Sequence, residues 1–152
     1  MSPRRKKEPR PIIGWREWLA LPELGVPRIK VKVDTGARTS ALHAFDLRRL
    51  EVEGRPWIAF KIHPLQRDTR TTVEARALLV DEREVRSSSG VVSKRPVIRT
   101  TMTLGKHRWT AELTLVRRDV MGFRMLLGRQ AVRGRFLVDP GASFRIPAVD
   151  FT

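Results

Sequence analysis

The chain contains no cysteine, so disulfide bonds, thiolate metal ligands and thiol nucleophiles are all excluded. This absence fits a reducing compartment, and we expect a cytoplasmic protein. No apolar run approaches the roughly 18 residues that a membrane-spanning helix needs. No signal-peptide core follows the basic start of the sequence either. We therefore expect no membrane partner and no export.

Histidine is scarce, and the usual motifs for metals and nucleotides are missing. The three histidines, His43, His63 and His107, are far apart in the sequence and are predicted to lie on different elements. The sequence has no His-Glu-x-x-His pair of zinc ligands. It also has no glycine-rich loop of the kind that holds nucleotide phosphates. We expect no metal site and no cofactor.

Positive charge is what the chain has in excess. The formal net charge is +15, which favours acidic partners such as nucleic acid or acidic polypeptides. A solvated basic face is the alternative explanation. The 152 residues suffice for one compact domain but not for two full-sized ones. Residues 1–11 combine basic residues with prolines and are predicted to be a disordered basic tail, so the folded domain is expected over residues 12–152.

The most informative stretch covers residues 28–44. Apolar residues alternate with lysines over residues 29–33, which predicts a strand with one buried face. That strand leads directly into Asp34, Thr35 and Gly36. Gly36 supplies backbone freedom for a tight turn, while the hydroxyl and N–H of Thr35 can brace neighbouring backbone. The pattern therefore predicts a carboxylate held rigidly at a strand end.

A rigid carboxylate of this kind suits acid–base activation of water by a pair of acids. Two carboxylates a few ångströms apart share one proton, because both cannot ionise so close together. The chain has the turn only once, since Pro140 of Asp139-Pro140-Gly141 lacks both the hydroxyl and the N–H of Thr35. Asp34 would therefore have to meet Asp34 of a second subunit across a two-fold axis. The alternative is an ordinary capped turn without chemistry.

The remaining sequence is predicted to be almost entirely β-structure. An ordered strand or bend is predicted over residues 12–21, and it could be an edge strand at a subunit interface. A turn or short bend is predicted over residues 40–44. Residues 129–133 are predicted to form a single helical turn. Hairpins at short spacing favour a small barrel or sandwich. Further strands are predicted over residues 45–53, 56–63, 72–85, 91–104, 109–115, 124–127 and 136–138.

Three segments, in order, resemble retropepsin-like aspartic proteases. Residues 31–37 resemble the active-site strand with its Asp-Thr-Gly-Ala turn, and residues 86–99 lie where the flap hairpin falls. Residues 125–129 resemble the apolar-apolar-Gly-Arg segment that crosses behind the turn. The string over residues 34–44, with residues 14–18 before it, is similar to a bacterial family labelled ATP-dependent zinc protease. That family is associated with ATP-grasp enzymes that add glutamates to a ribosomal protein.

The resemblance implies an all-β, retropepsin-like small barrel of one domain with at most one short helix. It implies an aspartic endopeptidase that acts as a homodimer with one Asp-Thr-Gly turn per subunit, together with an association with a ribosomal protein or an ATP-grasp ligase. The flap tip would close over the substrate as a lid. The site residues that it implies are Asp34, Thr35 and Gly36 for catalysis, Ala37, Arg38, Ser88, Ser89 and Gly90 for substrate binding, and Gly128 and Arg129 as structural residues near the site.

One position departs from the viral pattern. Viral members usually carry an acid where this chain has Arg38, and that acid pairs with the arginine that corresponds to Arg129. Arg129 therefore needs another partner. We expect Arg38, with Lys94 or Arg95 of the flap, to favour acidic, glutamate-rich polypeptide through carboxylate pairing. The alternative is that Arg38 is solvated or makes an internal ion pair.

Two rival functions stay open at this point. The first is a non-catalytic retropepsin-like module that binds acidic protein or RNA through its basic surface, because a fold does not guarantee an activity. The second is a zinc-dependent peptidase, which the family label alone suggests. Substituting Asp34 separates the first rival from the protease, and sensitivity to chelators separates the second.

Overall fold

The β-rich pattern of the sequence folds into ten strands and one short α-helix in the part of the chain that the structure describes. This computed structural model describes residues 9–86, 89–117 and 122–147, so residues 1–8 of the predicted tail lie outside it. The elements are β1 (Ile12–Leu21), β2 (Val26–Asp34), β3 (Ser40–His43), β4 (Phe45–Val52), β5 (Arg55–Ile62), β6 (Val73–Arg86), β7 (Val92–Leu104), β8 (His107–Val116), β9 (Met125–Gly128), α1 (Arg129–Val132) and β10 (Leu137–Ser143).

The strands form one sheet that closes on itself. Their order is β10-β1-β2-β9-β3-β8-β7-β6-β5-β4, and an extra pairing between β1 and β7 closes six of them into a barrel. That closure consists of one residue pair, Ala20 with Thr103. The Thr103 hydroxyl also donates to the Ala20 carbonyl oxygen at 3.4 Å. The predicted all-β class and the retropepsin-like small barrel are confirmed.

The alternation of side chains along β2 decides which residues fill the barrel. Ile29 and Val31 are fully buried, whereas Lys30 and Lys32 between and beyond them point to the outer face and are half-buried. Buried apolar residues from β1, β5, β7, β8 and β9 complete the core. Burial of such side chains contributes about 1.5–3 kcal/mol each to folding. The barrel therefore fixes β2, and with it the strand end that carries Asp34.

Two local predictions are wrong, and tertiary pairing is the reason in both cases. Residues 40–43 are not a turn but strand β3, which pairs in parallel with β8 and antiparallel with β9. Residues 12–21 form a strand, which was one of the two predicted options. It is not the predicted edge strand, because β1 lies between β10 and β2. The edge is β10, where Pro140 is tolerated because an edge strand has one side without ladder hydrogen bonds.

A buried carboxylate ties the chain after β10 to β1. Glu17 is fully buried and accepts backbone N–H bonds from Gly14 at 2.7 Å, Arg145 at 2.9 Å and Ile146 at 3.1 Å. Three donors compensate the carboxylate for the water that it loses on burial. Glu17 is therefore a structural acid.

No helix among the described residues combines the length and the apolar character needed to cross a bilayer.

Candidate active site

Asp34 ends β2, and its own turn holds its carboxylate. The N–H groups of Gly36 and Ala37 donate to Asp34 Oδ1 at 3.0 and 3.3 Å, and the Ala37 N–H also lies 3.2 Å from the Asp34 carbonyl oxygen. No described residue donates to Oδ2. One carboxylate oxygen is therefore fixed in the turn, and the other is available to a water molecule, a substrate or a second carboxylate.

β9 passes directly behind this turn. Gly128 is the register partner of Asp34 in the parallel β2–β9 ladder. A Cβ at Gly128 would lie 2.4 Å from the carbonyl carbon of Thr39 and 2.9 Å from the Ser40 nitrogen, so only glycine fits. The Gly128 N–H donates to Ser40 Oγ at 3.0 Å. This close backbone contact fixes the position of β9, and with it the end of β2 at Asp34, relative to the loop that follows Asp34.

The first residues of α1 form hydrogen bonds with the same loop. The N–H groups of Arg129 and Gln130 donate to the carbonyl oxygens of Ala37 at 2.7 Å and Arg38 at 3.0 Å. The Arg129 guanidinium donates to the Thr35 carbonyl oxygen at 3.2 Å. The sequence left the partner of Arg129 open, and the structure identifies it as backbone of the Asp34 turn rather than a carboxylate.

Two side chains of the turn face solvent. Thr35 is exposed, and its hydroxyl has no hydrogen-bond partner within the part of the chain that the structure describes. Arg38 is also exposed and forms no ion pair with a described residue. The internal ion pair that was the alternative for Arg38 is thus not seen among these residues. Both side chains are accessible to a second polypeptide.

A groove borders the turn on its Thr35 side. It has a volume of about 520 Å³, and Leu137 on its wall is 51% exposed. We call it the Thr35 groove. Its lining residues are Thr35, Arg129, Val132, Arg133, Phe136, Leu137 and Val138.

Residues 86–99, predicted to be the flap, include the tip of the hairpin formed by β6 and β7. Its last described backbone pair is Arg86 with Val92. Ser89 and Gly90 lie at its tip and are exposed, and Gly90 has a φ of 85°. Ser88 lies outside the described residues. The role of these tip residues in substrate binding stays a prediction.

The histidines do not assemble with acids into a ligand set. Within the described ranges, no three His, Asp or Glu side chains come close enough to share a metal ion. His43 and His63 both pack against Phe45, with ring centroids 6.4 and 4.5 Å away. His107 packs edge-on against Phe136 at 5.2 Å. These contacts explain the histidines as packing residues.

Sequence reasoning missed Ser40 and a cluster of basic and aromatic side chains on β1 and β2. Ser40 is 3% exposed and holds the Gly128 N–H. A buried serine six residues after the aspartate is a weak signal, because nothing local shows which distant N–H it accepts. The basic residues of β2 were visible in the sequence, but their aromatic neighbours come from β1 and from the segment after β10.

These features define a retropepsin-like protein: a closed β-barrel, an Asp-Thr-Gly turn at a strand end, and an apolar Gly-Arg strand behind it. The chain belongs to the RimB-like family, whose model is described as retropepsin-like aspartic endopeptidase RimB and matches residues 12–148. The family that the sequence resembles is thereby confirmed.

Several curated relatives carry a different name. The chain is 49% identical over 133 residues to proteins from Shewanella halifaxensis and Shewanella pealeana, and 48% identical over 129 residues to one from Desulfotalea psychrophila. Each is called a probable alpha-L-glutamate ligase. The matches cover 88%, 88% and 85% of this chain but 29%, 29% and 28% of the relatives. The chain thus spans less than a third of their length.

A solved structure shares the fold along nearly its whole length. It is the crystal structure of a Legionella pneumophila protein of unknown function, with 26% sequence identity and a TM-score of 0.74. The match covers 89% of this chain and 97% of that chain.

Proposed function

We propose that the protein is an aspartic endopeptidase that works as a homodimer, with one Asp34 from each subunit. The observation that carries this proposal is the Asp34 carboxylate, which has one oxygen fixed by its own turn and the other without a partner among the described residues. A single carboxylate of this kind is half of a two-acid site. The family description as an aspartic endopeptidase supports the same chemistry.

The mechanism follows from two such carboxylates sharing one proton. The protonated acid donates a hydrogen bond to the carbonyl oxygen of the scissile peptide, and the ionised acid takes a proton from the attacking water. Gly36 has no side chain, so substrate backbone can approach the turn closely. Closure of the β6–β7 tip over the substrate would exclude bulk water and bring Ser89 and Gly90 close to it.

Two features of the turn support the dimer. The Thr35 hydroxyl has no described partner within its own subunit, and the equivalent turn of a second copy can supply one. The Thr35 groove presents exposed Leu137 beside it. Apolar surface next to a polar group that lacks a partner is suited to burial in an interface.

The substrate we propose is a glutamate-rich polypeptide. Exposed Arg38 lies four residues after Asp34, and arginine pairs with carboxylates through two parallel hydrogen bonds. The relatives whose longer chains include this segment are named probable alpha-L-glutamate ligases. An endopeptidase beside a glutamate ligase could cut what the ligase makes, and association with such a ligase or with its protein target belongs to the same proposal.

Proteolysis by wild-type protein and two matched variants tests the proposal. Asp34→Asn keeps an oxygen acceptor for the turn but removes the acid, so cleavage of a glutamate-rich peptide is expected to fall at least 1,000-fold, on the order of the loss of a member of a catalytic unit. Asp139→Asn is the control, because Asp139 Oδ1 accepts the Gly141 N–H at 2.9 Å in a similar turn. Equal cleavage by the Asp34 and Asp139 variants would refute the proposal.

The formal charge of +15 also favours an alternative function, in which the protein is a non-catalytic module that binds acidic protein or RNA. In that case the wild-type protein binds acidic peptide in a salt-sensitive way, Asp34→Asn binds equally well, and neither protein cuts the peptide. Inhibition of cleavage by a chelator would instead favour a zinc-dependent peptidase.

A further inference from the structure

A group of basic and aromatic side chains lies together on the outer face of β1 and β2. Trp18 of β1 is the register partner of Lys30 of β2, and Arg16 is the partner of Lys32. Phe144, which follows β10, stacks on Trp18 with a centroid distance of 5.8 Å and an interplanar angle of 22°. We call this group the β1–β2 strip and define it by Arg16, Trp18, Arg28, Lys30 and Phe144.

The aromatic rings hold the cations of the strip in place. The Arg28 guanidinium lies 4.2 Å from the Trp18 ring centroid, and the Lys30 ammonium lies 5.2 Å from it. The Arg16 guanidinium lies 4.9 Å from the Phe144 ring, and its Nε donates to Ser143 Oγ at 3.2 Å. Contacts of this kind orient a cation and leave its charge unneutralised.

Carboxylates do not neutralise the strip from within the described part of the chain. Arg16, Arg28 and Lys30 form no ion pair with any residue in it. The one acid of β1, Glu17, points to the interior, where three backbone N–H groups occupy it. Three oriented cations without an acidic partner form a site for anions.

The strip lies along the same face of β2 as Asp34, so one bound polypeptide could contact both. Residues 28, 30, 32 and 34 share one face of β2, because successive side chains of a strand alternate. At about 3.3 Å per residue, Arg28 lies roughly 20 Å along the strand from Asp34. A polypeptide that crosses the catalytic turn and continues along β2 would therefore pass over the strip.

We propose that the β1–β2 strip is an exosite that binds carboxylate side chains of an acidic polypeptide away from the bond that is cut. The proposal rests on the proposed function for its purpose, although binding at the strip can be measured without cleavage. An acidic polypeptide fits better than nucleic acid, since Phe144 and two cations already occupy the Trp18 ring and leave little ring surface for a base to stack on.

Binding is measured on protein that carries Asp34→Asn, so that cleavage does not interfere. The probe is a fluorescent 16-residue polyglutamate peptide, titrated at two salt concentrations. In this background, Arg28→Ala with Lys30→Ala is expected to raise Kd roughly tenfold, as two lost partly exposed charge contacts allow. The control is Arg76→Ala with Lys61→Ala, because Arg76 lies 5.7 Å from the Trp57 ring and Lys61 is a partly exposed cation on the neighbouring strand.

The outcomes separate cleanly. A Kd that rises only in the strip variant, with a smaller salt dependence, supports the exosite. An unchanged Kd, or an equal rise in the control, overturns it. Single-stranded RNA of the same charge is titrated in parallel, and RNA that binds more tightly than the peptide and depends on the same residues would overturn it in favour of a nucleic-acid site.

Cleavage gives the second measurement. The strip variant in an otherwise wild-type chain is expected to raise KM for a long acidic peptide without lowering kcat, and to leave a short peptide unaffected. If the wild-type protein cuts no peptide, the proposed function fails, while the binding experiment still decides the exosite. If the wild-type protein cuts but the strip variant shows the same KM, the exosite fails and the endopeptidase stands.

Discussion

Gly128 sets how closely the strand behind the Asp34 turn approaches the loop that follows Asp34. Gly128→Ala places a Cβ 2.4 Å from the Thr39 carbonyl carbon, and backbone cannot move away as a side chain can. We expect unfolding in urea to show a loss of about 1–3 kcal/mol, the usual cost of overpacking, together with lower peptide cleavage. Gly141→Ala is the control, because its nearest neighbour, an oxygen of Asp139, lies 3.4 Å away. Equal stability of the two variants would contradict the close contact.

Glu17 makes a second prediction at the scale of one residue. Glu17→Gln replaces one acceptor oxygen by an NH₂ group, so at least one of the three backbone N–H donors from Gly14, Arg145 and Ile146 faces another donor. Leaving a buried donor without a partner costs about 1–3 kcal/mol. We expect a loss of that size in chemical denaturation. Exposed Glu51→Gln is expected to change stability by about 0.5 kcal/mol or less, and a similar loss in both variants would rule out the buried role.

The residues of the candidate site divide by whether their roles are local. The placement of Asp34 and Gly36 on a turn at a strand end follows from alternation and from the tripeptide itself, so the sequence was enough for it. The partner of Arg129 and the role of Ser40 depend on contacts with residues about 90 positions away. No local pattern encodes such contacts. Catalysis by these residues is untested and stays a prediction.

At the scale of elements, the β6–β7 hairpin gives a test of the lid. Gly90 has a φ of 85° and Gly54, in the β4–β5 turn, has a φ of 76°. A Cβ added at either glycine would meet no other atom of the described residues within 4 Å. Alanine at either position therefore costs about 1–2 kcal/mol of backbone strain and no clash. We expect similar losses of stability in both variants.

If the β6–β7 tip closes over the substrate as proposed, only Gly90→Ala is expected to lower kcat/KM for peptide. Steady-state kinetics of the two variants, at a temperature where both are folded, makes the comparison. A Gly54→Ala variant that loses as much kcat/KM would show that the effect comes from general destabilisation rather than from the lid.

The element boundaries show where sequence reasoning reached its limit. Strands β2, β4, β5, β6, β7 and β8 were predicted within a few residues, because each runs for at least 8 residues between recognisable turns. β3 was missed, since four residues are too few for a period to emerge and its two neighbours come from distant parts of the chain. β10 was predicted too short because Pro140 argues against a strand until its edge position is known.

At the scale of the whole molecule, the Thr35 groove predicts where two copies meet. Leu137→Arg adds a cation to a chain of charge +15 at a position that is 51% exposed. We expect it to weaken self-association and to lower cleavage most at low protein concentration, measured by sedimentation and by specific activity over a dilution series. Leu50→Arg, 40% exposed on β4 at the far edge of the sheet, is the control. If both variants self-associate as strongly as the wild-type protein, the interface lies elsewhere.

Charge and composition predicted the class of partner at this scale but not its location. The excess of basic residues is visible in the sequence, whereas the β1–β2 strip forms only when Phe144 stacks on a tryptophan more than 120 residues earlier in the chain. The barrel itself was predicted from the resemblance and from strand count. How its ends join was not, because closure depends on a single pair of residues.

That closing pair, Ala20 with Thr103, has a dynamic consequence. Rupture of so short a ladder breaks fewer backbone hydrogen bonds than rupture of any longer ladder of the barrel, so we expect the wall to open first along this line. Amide protons beside the closure are then expected to exchange with deuterated solvent by brief local fluctuations, while those of the β7–β8 ladder wait for global unfolding.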